Sequence, residues 1–557
     1  MLDLPVKPRL LAIGIDGADY RITKSLMERG MLRNLAALAE RGAWGPAQST
    51  IPPLTPAAWT TIMTGKDPGK HGVFDFLPMD GTPFDVPVGS RRRATTVWRA
   101  LSDAGFRVGT FNLPVTYPPE ELSGFQVSGF TAPAYSAAIA TPPAAFEVLD
   151  EAGRGYAPFA PPDRAEGLTE RQLRDRIDLV PIVSRRLLRA FPCDVFMANF
   201  QIVDWVQHSA IAEEMKPGDA DSLDPDGLIA RTYQLVDERI GVMLRELAGP
   251  ETHVLLISDH GTAVVDRVVN LEKLFLDERL MAYESSSGIG AVGASAQRVR
   301  TRIALAVWTA LKRGLPGLAA RLRPLAGRVR DHLAARTDTR IDWSRTVAVP
   351  WGLYGQVRFN VRGRDREGVI SAEELPGLRA RVSELLLRLQ DPVTGKPVYR
   401  EVLDGCEAYC GPFVDSGPDL VCLPNDDRYL TVCGRMFRGS SLPLMDAQQG
   451  TVVALDPPED FHSASGIFAM AGPGLRTGLH PLPARLRDFV PTVLYLLNQP
   501  IPDDMDGRPL LEAFSSPARL PRTCDPWPTP EPPAAETAYT PEEQRELEDQ
   551  LAALGYI

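Results

Sequence analysis

Three of the chain's seven histidines stand in short motifs that also carry aspartates or adjoin other acids, spread over about 450 residues. Asp16 closes the run "LLAIGID". Asp204 and His208 form an Asp-x-x-x-His pair in "QIVDWVQH", a spacing that puts both on one face of a helix. Asp259 and His260 adjoin in "ISDHG", and His462 stands in "EDFHSASGIF". Mixed carboxylate and imidazole donors suit Zn²⁺, with Mn²⁺ or Fe a poorer match. Each motif also has an ordinary reading, since a strand-end aspartate caps a helix and a helical Asp/His pair lies on a surface. The Asp259-His260 pair resists that reading, because it places two ionisable groups where apolar residues would pack. Taken together, the motifs describe two metal sites.

A hydroxyl belongs with them. In "STIPPLTPAAWTTIMTGKDPGKHG" (49–72), Thr55 stands directly before a proline at the start of a helix-like run. One explanation is capping: threonine is a good N-cap, and Pro56 at the first helical position has its φ already set. The other uses the same geometry, because a helix N-terminus turns free N–H groups towards an anion and makes a seat for phosphate. A threonine hydroxyl is a weak nucleophile, but a metal ion would make it an alkoxide at neutral pH. One residue can fill both roles. Capping alone accounts for Pro56, whereas the surrounding ligands call for the nucleophile.

The elements that must position these groups are short runs rich in Val, Ile and Leu. They are "RLLAIGID" (9–16), "FRVGTFN" (106–112), "DVFMANF" (194–200), "THVLLISD" (252–259) and "GIFAMAG" (466–472). Continuous rather than alternating hydrophobicity predicts strands covered on both faces, hence an α/β fold with a largely parallel central sheet flanked by helices. Sites in such sheets gather at the carboxyl ends of the strands. Asp16, Asn112, the segment leading to Asp204, and Asp259-His260 are the residues expected there.

At 557 residues the chain is long for one core. The reading divides it into a first core part (1–280), an inserted cap (281–400), a last core part with the final ligand (401–515), and a Pro-rich tail with a C-terminal helix (516–557). Residues 297–345 hold about a dozen Arg and Lys against about three acids at helical spacing. Such a stretch is a solvated helical face or a weak contact with a membrane surface. Thr540 before Pro541, with acids in the first turn, predicts a capped final helix.

A net charge of −11 argues against a nucleic-acid partner. Six cysteines do not make a disulfide framework, and the spacing of Cys406, Cys410, Cys422 and Cys433 is not that of a zinc ribbon. Buried, reduced thiols are expected. No apolar run approaches the ~18 residues of a membrane span, and no signal-peptide pattern opens the chain. A cytoplasmic location is expected.

The order Asp…Thr…Asp-x-x-x-His…Asp-His…His resembles the alkaline phosphatase superfamily, closest to its type I phosphodiesterase and nucleotide pyrophosphatase branch. "LTPAAWTTIMTGKDPGKHGVFDF", "NLPVTYPP" (112–119) and the terminal "LGYI" look like a group of bacterial predicted phosphohydrolases or phosphomutases within it. The resemblance runs from residue 9 to about 512 and fades over 285–345. It implies an alkaline phosphatase-like core and two divalent ions. One would be held by Asp204, His208 and His462, the other by Asp16, Asp259 and His260 with the Thr55 oxygen. Thr55 would form a covalent phospho-threonine that water then hydrolyses. Sulfatase relatives need a modified Cys or Ser in a Cys/Ser-x-Pro-x-Arg motif, and Thr55-Pro56-Ala57 lacks it. Alkaline phosphatases proper and the cofactor-independent phosphoglycerate mutases use serine, so the threonine favours the diesterase side. The nucleotide pyrophosphatases place an asparagine shortly after the His-Gly, and "HGVFDF" has none. Asn112, Asn199, Lys66 and Lys70 are the candidates to hold a phosphate oxygen in its place, although "GKDPGKHG" is also simply a polar turn.

The expected activity is a metal-dependent phosphodiesterase acting on a small phosphorylated substrate. A phosphomutase or phosphotransferase, for which the insert would exclude water, and a phosphomonoesterase are the alternatives. A non-catalytic binder that keeps the fold and metals is a rival of another class.

Overall fold

The computed structural model describes residues 4, 6–76, 88–133, 135–152, 156, 169–284, 341–352, 354–432, 450–516, 519–530 and 539–553. The basic stretch at 297–345 therefore lies almost wholly outside the described residues.

A nine-stranded sheet forms the centre. In chain order its first strands are β1 (Leu10–Ile15), β2 (Ala43–Gln48), β3 (Val108–Leu113), β4 (Phe125–Ser128) and β5 (Ala140–Thr141). β6 (Val195–Phe200) and β7 (His253–Ile257) follow. β8 (Gly261–Asn270), β9 (Ala348–Trp351), β10 (Gln356–Phe359), β11 (Tyr399–Asp404), β12 (Leu420–Pro424), β13 (Tyr429–Val432) and β14 (Val452–Ser463) belong to smaller sheets. β15 (Ser465–Ala471) and β16 (Ala484–Arg485) return to the centre, whose order is β16-β2-β15-β7-β1-β6-β3-β4-β5.

β7, β1, β6, β3 and β4 run parallel. Every residue of β1, β3 and β6 is buried, as continuous hydrophobicity requires. Successive side chains of a strand point to opposite faces, and β1 divides accordingly. Leu11, Ile13 and Ile15 enter one core, with helices Tyr20–Glu28, Glu170–Ala190 and Leu228–Leu247. Leu10 and Ala12 enter the other, with helices Thr55–Thr64 and Phe489–Leu496.

The fifth run, expected as another strand of a largely parallel sheet, pairs antiparallel with both β7 and β2. The reason is how the chain reaches it. β7 passes through Ser258-Asp259-His260 into β8, β14 pairs antiparallel with β8, and β15 continues from β14 after one residue. The result is a two-stranded ribbon that starts in the central sheet and leaves it at the carboxyl edge. β13, β8 and β14 form the three-stranded sheet at its far end, and β11-β12-β10-β9 form a further four-stranded sheet. The latter continues to Pro424, across position 400 where the insert was expected to end.

The final helix, Pro541–Ala553, is capped as expected, and the cap is a capping box: Glu543 N–H donates to Thr540 Oγ1 at 3.3 Å and Thr540 N–H to Glu543 Oε2 at 2.8 Å. Leu547, Leu551 and the preceding Tyr539 pack with Phe76, Phe130 and Leu54, the residue just before Thr55. Among the cysteines, Cys193 and Cys422 are buried as expected, but Cys406 and Cys410 are exposed, on the short turn that follows β11. No helix among the described residues is long and apolar enough to cross a membrane.

Candidate metal centre and nucleophile

The helix Thr55–Thr64 is buried along its whole length, and the Thr60 and Thr64 hydroxyls are satisfied by donating to the Pro56 and Thr60 carbonyls. Leu54, extended at φ −108° and ψ 137°, occupies the N-cap position, and no side chain caps this end. The expected capping role of Thr55 is thereby corrected: it is the first helical residue, with Pro56 second. Its Oγ1 instead lies 3.3 Å from His260 Nε2. One turn on, Trp59 shares that face and donates Nε1–H to Asp16 Oδ2 at 2.7 Å.

Asp16 sits in the turn after β1, and Gly17 beside it has φ +72°, a conformation that favours glycine. A Cβ there would also stand 3.0 Å from Asp204. Gly17 N–H donates to Asp259 Oδ1 at 3.1 Å, and its carbonyl accepts from Gln207 Nε2 at 2.9 Å. The ends of β1, β7 and the Asp204 helix (Ile202–Glu214) are thus tied through one turn.

The ribbon brings in the histidines. His462 on β14 stands opposite Thr262 on β8, and its ring stacks on that of His260 with centroids 3.6 Å apart. All three site histidines are anchored through Nδ1. His260 Nδ1–H donates to the Gly261 carbonyl and His462 Nδ1–H to the Pro53 carbonyl, each at 3.0 Å. His208 Nδ1–H donates to the carboxylate of Asp460. That turns each Nε2 inward, to the position from which a metal-ligating imidazole coordinates. His462 Nε2 and His208 Nε2 stand 3.1 Å apart, and both face Asp204 Oδ1, at 3.5 and 3.3 Å. His260 Nε2 is 3.2 Å from Asp259 Oδ2 and 3.8 Å from Asp16 Oδ1.

Two groups have ligand atoms close enough to share an ion: Asp204, His208 and His462, and Asp16, Asp204 and His260. Asp204 therefore reaches both. Asp259, which the resemblance groups with Asp16 and His260, is not in the second set, although its Oδ2 lies 3.2 Å from His260 Nε2.

Electrostatics define what is missing. Asp16 Oδ1 and Asp259 Oδ2 are buried and accept no hydrogen bond, a cost of about 1–3 kcal/mol or more each for a charged group. Burial, with Asp259 and Asp204 nearby, pushes the Asp16 pKa well above its ordinary value. Burial likewise raises Asp259 to about 6, against the opposing pull of His260. Asp204 is held below the usual range, because His208, His462 and His260 outweigh the burial that would raise it. His462 is pushed well down by burial and by His260. A cation among these groups would satisfy the orphaned oxygens and take the inward-turned Nε2 atoms as ligands, so the donors present fit divalent ions.

Asn112 and Asn199 sit at the ends of β3 and β6. Asn112 Nδ2 donates to the Asn199 carbonyl at 3.0 Å, and its Oδ1 accepts from Tyr156 at 2.7 Å. Asn199 Nδ2 donates to Gln201 Oε1 at 3.1 Å. Lys66 and Lys70 lie beyond the opposite end of the Thr55 helix, ion-paired with Asp504 at 2.5 Å and Asp506 at 2.7 Å.

Three supporting residues escaped the sequence reading. Asp460 holds His208, and Trp59 holds Asp16. Buried Asp19 caps the helix Tyr20–Glu28 and accepts from Ser463 Oγ at 2.9 Å and Thr262 N–H at 3.3 Å. It thereby clamps both strands of the ribbon. Only Asp460, two residues before His462, carried a local signal.

Imidazole nitrogens turned inward, carboxylates short of donors and a hydroxyl at a helix start are the equipment of an enzyme that hydrolyses phosphoric esters. The family model of type I phosphodiesterase / nucleotide pyrophosphatase matches residues 10–343, more than half of the chain. The chain belongs to that family, a metal-dependent branch of the alkaline phosphatase superfamily. Among solved structures, it is similar to phosphonoacetate hydrolase from Sinorhizobium meliloti 1021 in complex with phosphonoformate. That match has 17% identity and a TM-score of 0.49, and covers 89% of this chain and 98% of that one. It is also similar to an inactive variant of murine ectonucleotide pyrophosphatase / phosphodiesterase 5 in complex with AMP. There the identity is 11% and the TM-score 0.48, over 91% of this chain and 100% of that one. No curated protein matches the chain.

Proposed function

We propose that this chain is a phosphodiesterase with Thr55 as nucleophile and two divalent ions, Zn²⁺ by the character of the donors. Asp204, His208 and His462 would hold one ion, and Asp16, Asp259 and His260, with the Thr55 oxygen, the other. The observation that carries the reading is the placement of Thr55 Oγ1, 3.3 Å from His260 Nε2 at the start of a buried helix. When bound, the ions supply Lewis-acid charge for the phosphoryl oxygens and lower the pKa of the attacking oxygen.

The chain's own residues do the rest. Thr55 Oγ1 forms a bond to phosphorus as the bond to the leaving alcohol breaks, and the hydroxyl proton ends on the departing alcohol. The helix N-terminus, with Thr55 and Ala57 N–H groups in its first turn, favours the anionic ester at that point. Water then cleaves the Thr55–phosphorus ester, releasing a monoester and restoring the hydroxyl. The Nδ1 anchors on Gly261, Pro53 and Asp460 keep the three imidazoles from turning between these steps.

The test is hydrolysis of bis-p-nitrophenyl phosphate against p-nitrophenyl phosphate by protein of measured Zn and Mn content, with quenched samples weighed for a phosphorylated species. A diester preference, lost on chelation and restored by Zn²⁺, is expected. Turnover that survives full chelation would overturn the two-ion reading. A metal-loaded protein that cleaves neither ester would favour the phosphomutase, phosphotransferase or binding alternatives, and a monoester preference the phosphomonoesterase.

A further inference from the structure

The chain that leads into Thr55 is held from outside. Pro52 and Pro53 have no amide proton, so this stretch offers carbonyls that need donors from elsewhere. The Pro52 carbonyl is satisfied locally, by Thr50 Oγ1 at 2.6 Å and Leu54 N–H at 2.9 Å. Its neighbours are not. The Pro53 carbonyl accepts from His462 Nδ1–H, and the Ile51 carbonyl from the Tyr409 hydroxyl at 2.6 Å. Just ahead, the Ser49 hydroxyl donates to the Asp259 carbonyl at 2.6 Å. The ties to His462 and Asp259 run to the metal centre, and the tie to Tyr409 runs to another part of the molecule.

Tyr409 stands on the connection between β11 and β12 of the four-stranded sheet, directly after the short helix Gly405–Ala408. It is 2% exposed, and its ring meets that of Phe74 edge-on with centroids 5.1 Å apart. Ile51 packs against the cluster that these two rings form with Val421. Packing on that scale fixes where the hydroxyl points.

The same connection meets the chain again beyond the Thr55 helix. Phe413 N–H donates to the Gly69 carbonyl at 2.9 Å. The approach there is backbone to backbone. A Cβ on Gly69 would stand 2.7 Å from the Cys410 carbonyl oxygen, and one on Gly411, at φ +132°, 2.5 Å from the Gly69 oxygen. The helix Thr55–Thr64 therefore lies between two points held by one connection, Ile51 ahead of its start and Gly69 after its end. From the turn between β9 and β10 of the same sheet, Tyr354 packs against the cluster that contains Leu54.

We propose that the β11–β12 connection is a splint for the Thr55 helix, and that Tyr409 is a positioning residue for the nucleophile, holding Thr55 Oγ1 on its line of attack through Ile51. The proposal rests on the reading of Thr55 as nucleophile. Attack depends on where that oxygen stands relative to phosphorus, and a displacement of about 1 Å can cost about 100-fold in rate. The core supplies the ties to Asp259 and His462, and the four-stranded sheet supplies a hold at both ends of the helix.

The test compares Tyr409→Phe, which keeps the ring and loses the hydroxyl, with Gly69→Ala, which wedges the far contact open. Tyr399→Phe is the control. Tyr399 is equally buried in the same sheet and shares a hydrogen bond with Thr431 Oγ1 at 2.9 Å, but belongs to the sheet's own core. With full-length, Zn²⁺-loaded chain and bis-p-nitrophenyl phosphate, kcat should fall about ten-fold or more in Tyr409→Phe and Gly69→Ala. KM and zinc per chain should stay unchanged. Tyr399→Phe should lose comparable stability to urea and keep its kcat. Hydrogen exchange read by mass spectrometry should quicken several-fold over residues 49–58 in Tyr409→Phe and not in Tyr399→Phe. A kcat in Tyr409→Phe no lower than in Tyr399→Phe, or unchanged exchange over 49–58, overturns the splint. If the intact chain cleaves no ester, or Thr55→Ala keeps full turnover, the Thr55 reading fails instead, and exchange alone decides the splint. Quicker exchange confined to 49–58 then upholds it, and unchanged exchange overturns it.

Discussion

At the start of the helix Thr55–Thr64, Asp16, Asp259 and three imidazoles converge with carboxylate oxygens unsatisfied and Nε2 atoms turned towards one another. At its other end stand the same kinds of residue, Asp67, Lys66, Lys70 and His71, and there each charge meets an opposite one. Lys66 pairs with Asp504, Lys70 with Asp506, and Asp67 with Arg487. His71 Nδ1 accepts from Val73 N–H at 3.2 Å and its Nε2–H donates to Thr61 Oγ1 at 3.0 Å. Both nitrogens are used, so this imidazole has nothing to offer an ion. Residue type does not separate a site from a brace; unfilled hydrogen-bonding capacity does. The first end keeps its groups apart for a ligand, and the second closes them to hold the 503–506 loop onto the helix.

The comparison can be broken most severely at Thr55. Thr55→Ala should lower diester turnover by about 10⁴-fold or more, as loss of a nucleophile does, with metal content unchanged. Retained turnover would mean that the two ends do not differ in function. Asp460→Asn reaches the same end indirectly. It should weaken binding of the ion at His208 by about 10–100-fold, read by titration with Zn²⁺ under a competing chelator. Unchanged affinity would show that Asp460 does not orient that ring.

Lys66→Met acts on the other end. Leaving the partly exposed Asp504 without its partner should cost about 1–3 kcal/mol of stability, measured by urea unfolding, with KM unaltered. A raised KM at full stability would instead return the lysine to the substrate-binding role that the sequence allowed. At neutral pH the smallest effect is expected from His71, whose contribution shows only on acidification. Burial, with Arg92 nearby, lowers its pKa from 6.5 to about 3. On acidification the unfolded chain therefore takes up this proton first. The stability His71 contributes is complete above pH 6.5 and is lost as pH falls towards 3, by up to about 1.4 kcal/mol per unit. His71→Gln should remove that component of the slope. Identical slopes for the two proteins between pH 7 and 4.5 would show that His71 titrates normally.

The sequence made the first end legible because its side chains are chemically conspicuous. Asp259-His260 follows a continuous apolar strand, a place where charge has no packing reason to be. Asp16 does the same after β1, and Asp204 and His208 carry the spacing of one helix face. Lys66 and Lys70 were readable as phosphate ligands or as a polar turn because their partners are more than 430 residues away. Trp59 and Asp19 stood unmarked, since a tryptophan in an apolar helix and an aspartate before a helix both have ordinary local explanations.

By itself the sequence determined the donor types, the strand interiors, the helix start at Thr55-Pro56 and the closing helix at Thr540-Pro541. These depend on hydrophobic continuity, fixed spacings and proline geometry, which act over a few residues. The tertiary structure decided that Thr55 does not cap its helix, because Leu54 takes that position and the hydroxyl turns to His260. It also decided that β15 runs antiparallel, because β14 must return along β8 before the chain re-enters the central sheet. That same return sets His462 against His260. Pairing between segments some 200 residues apart is settled by which faces can be buried together, and no local spacing records it.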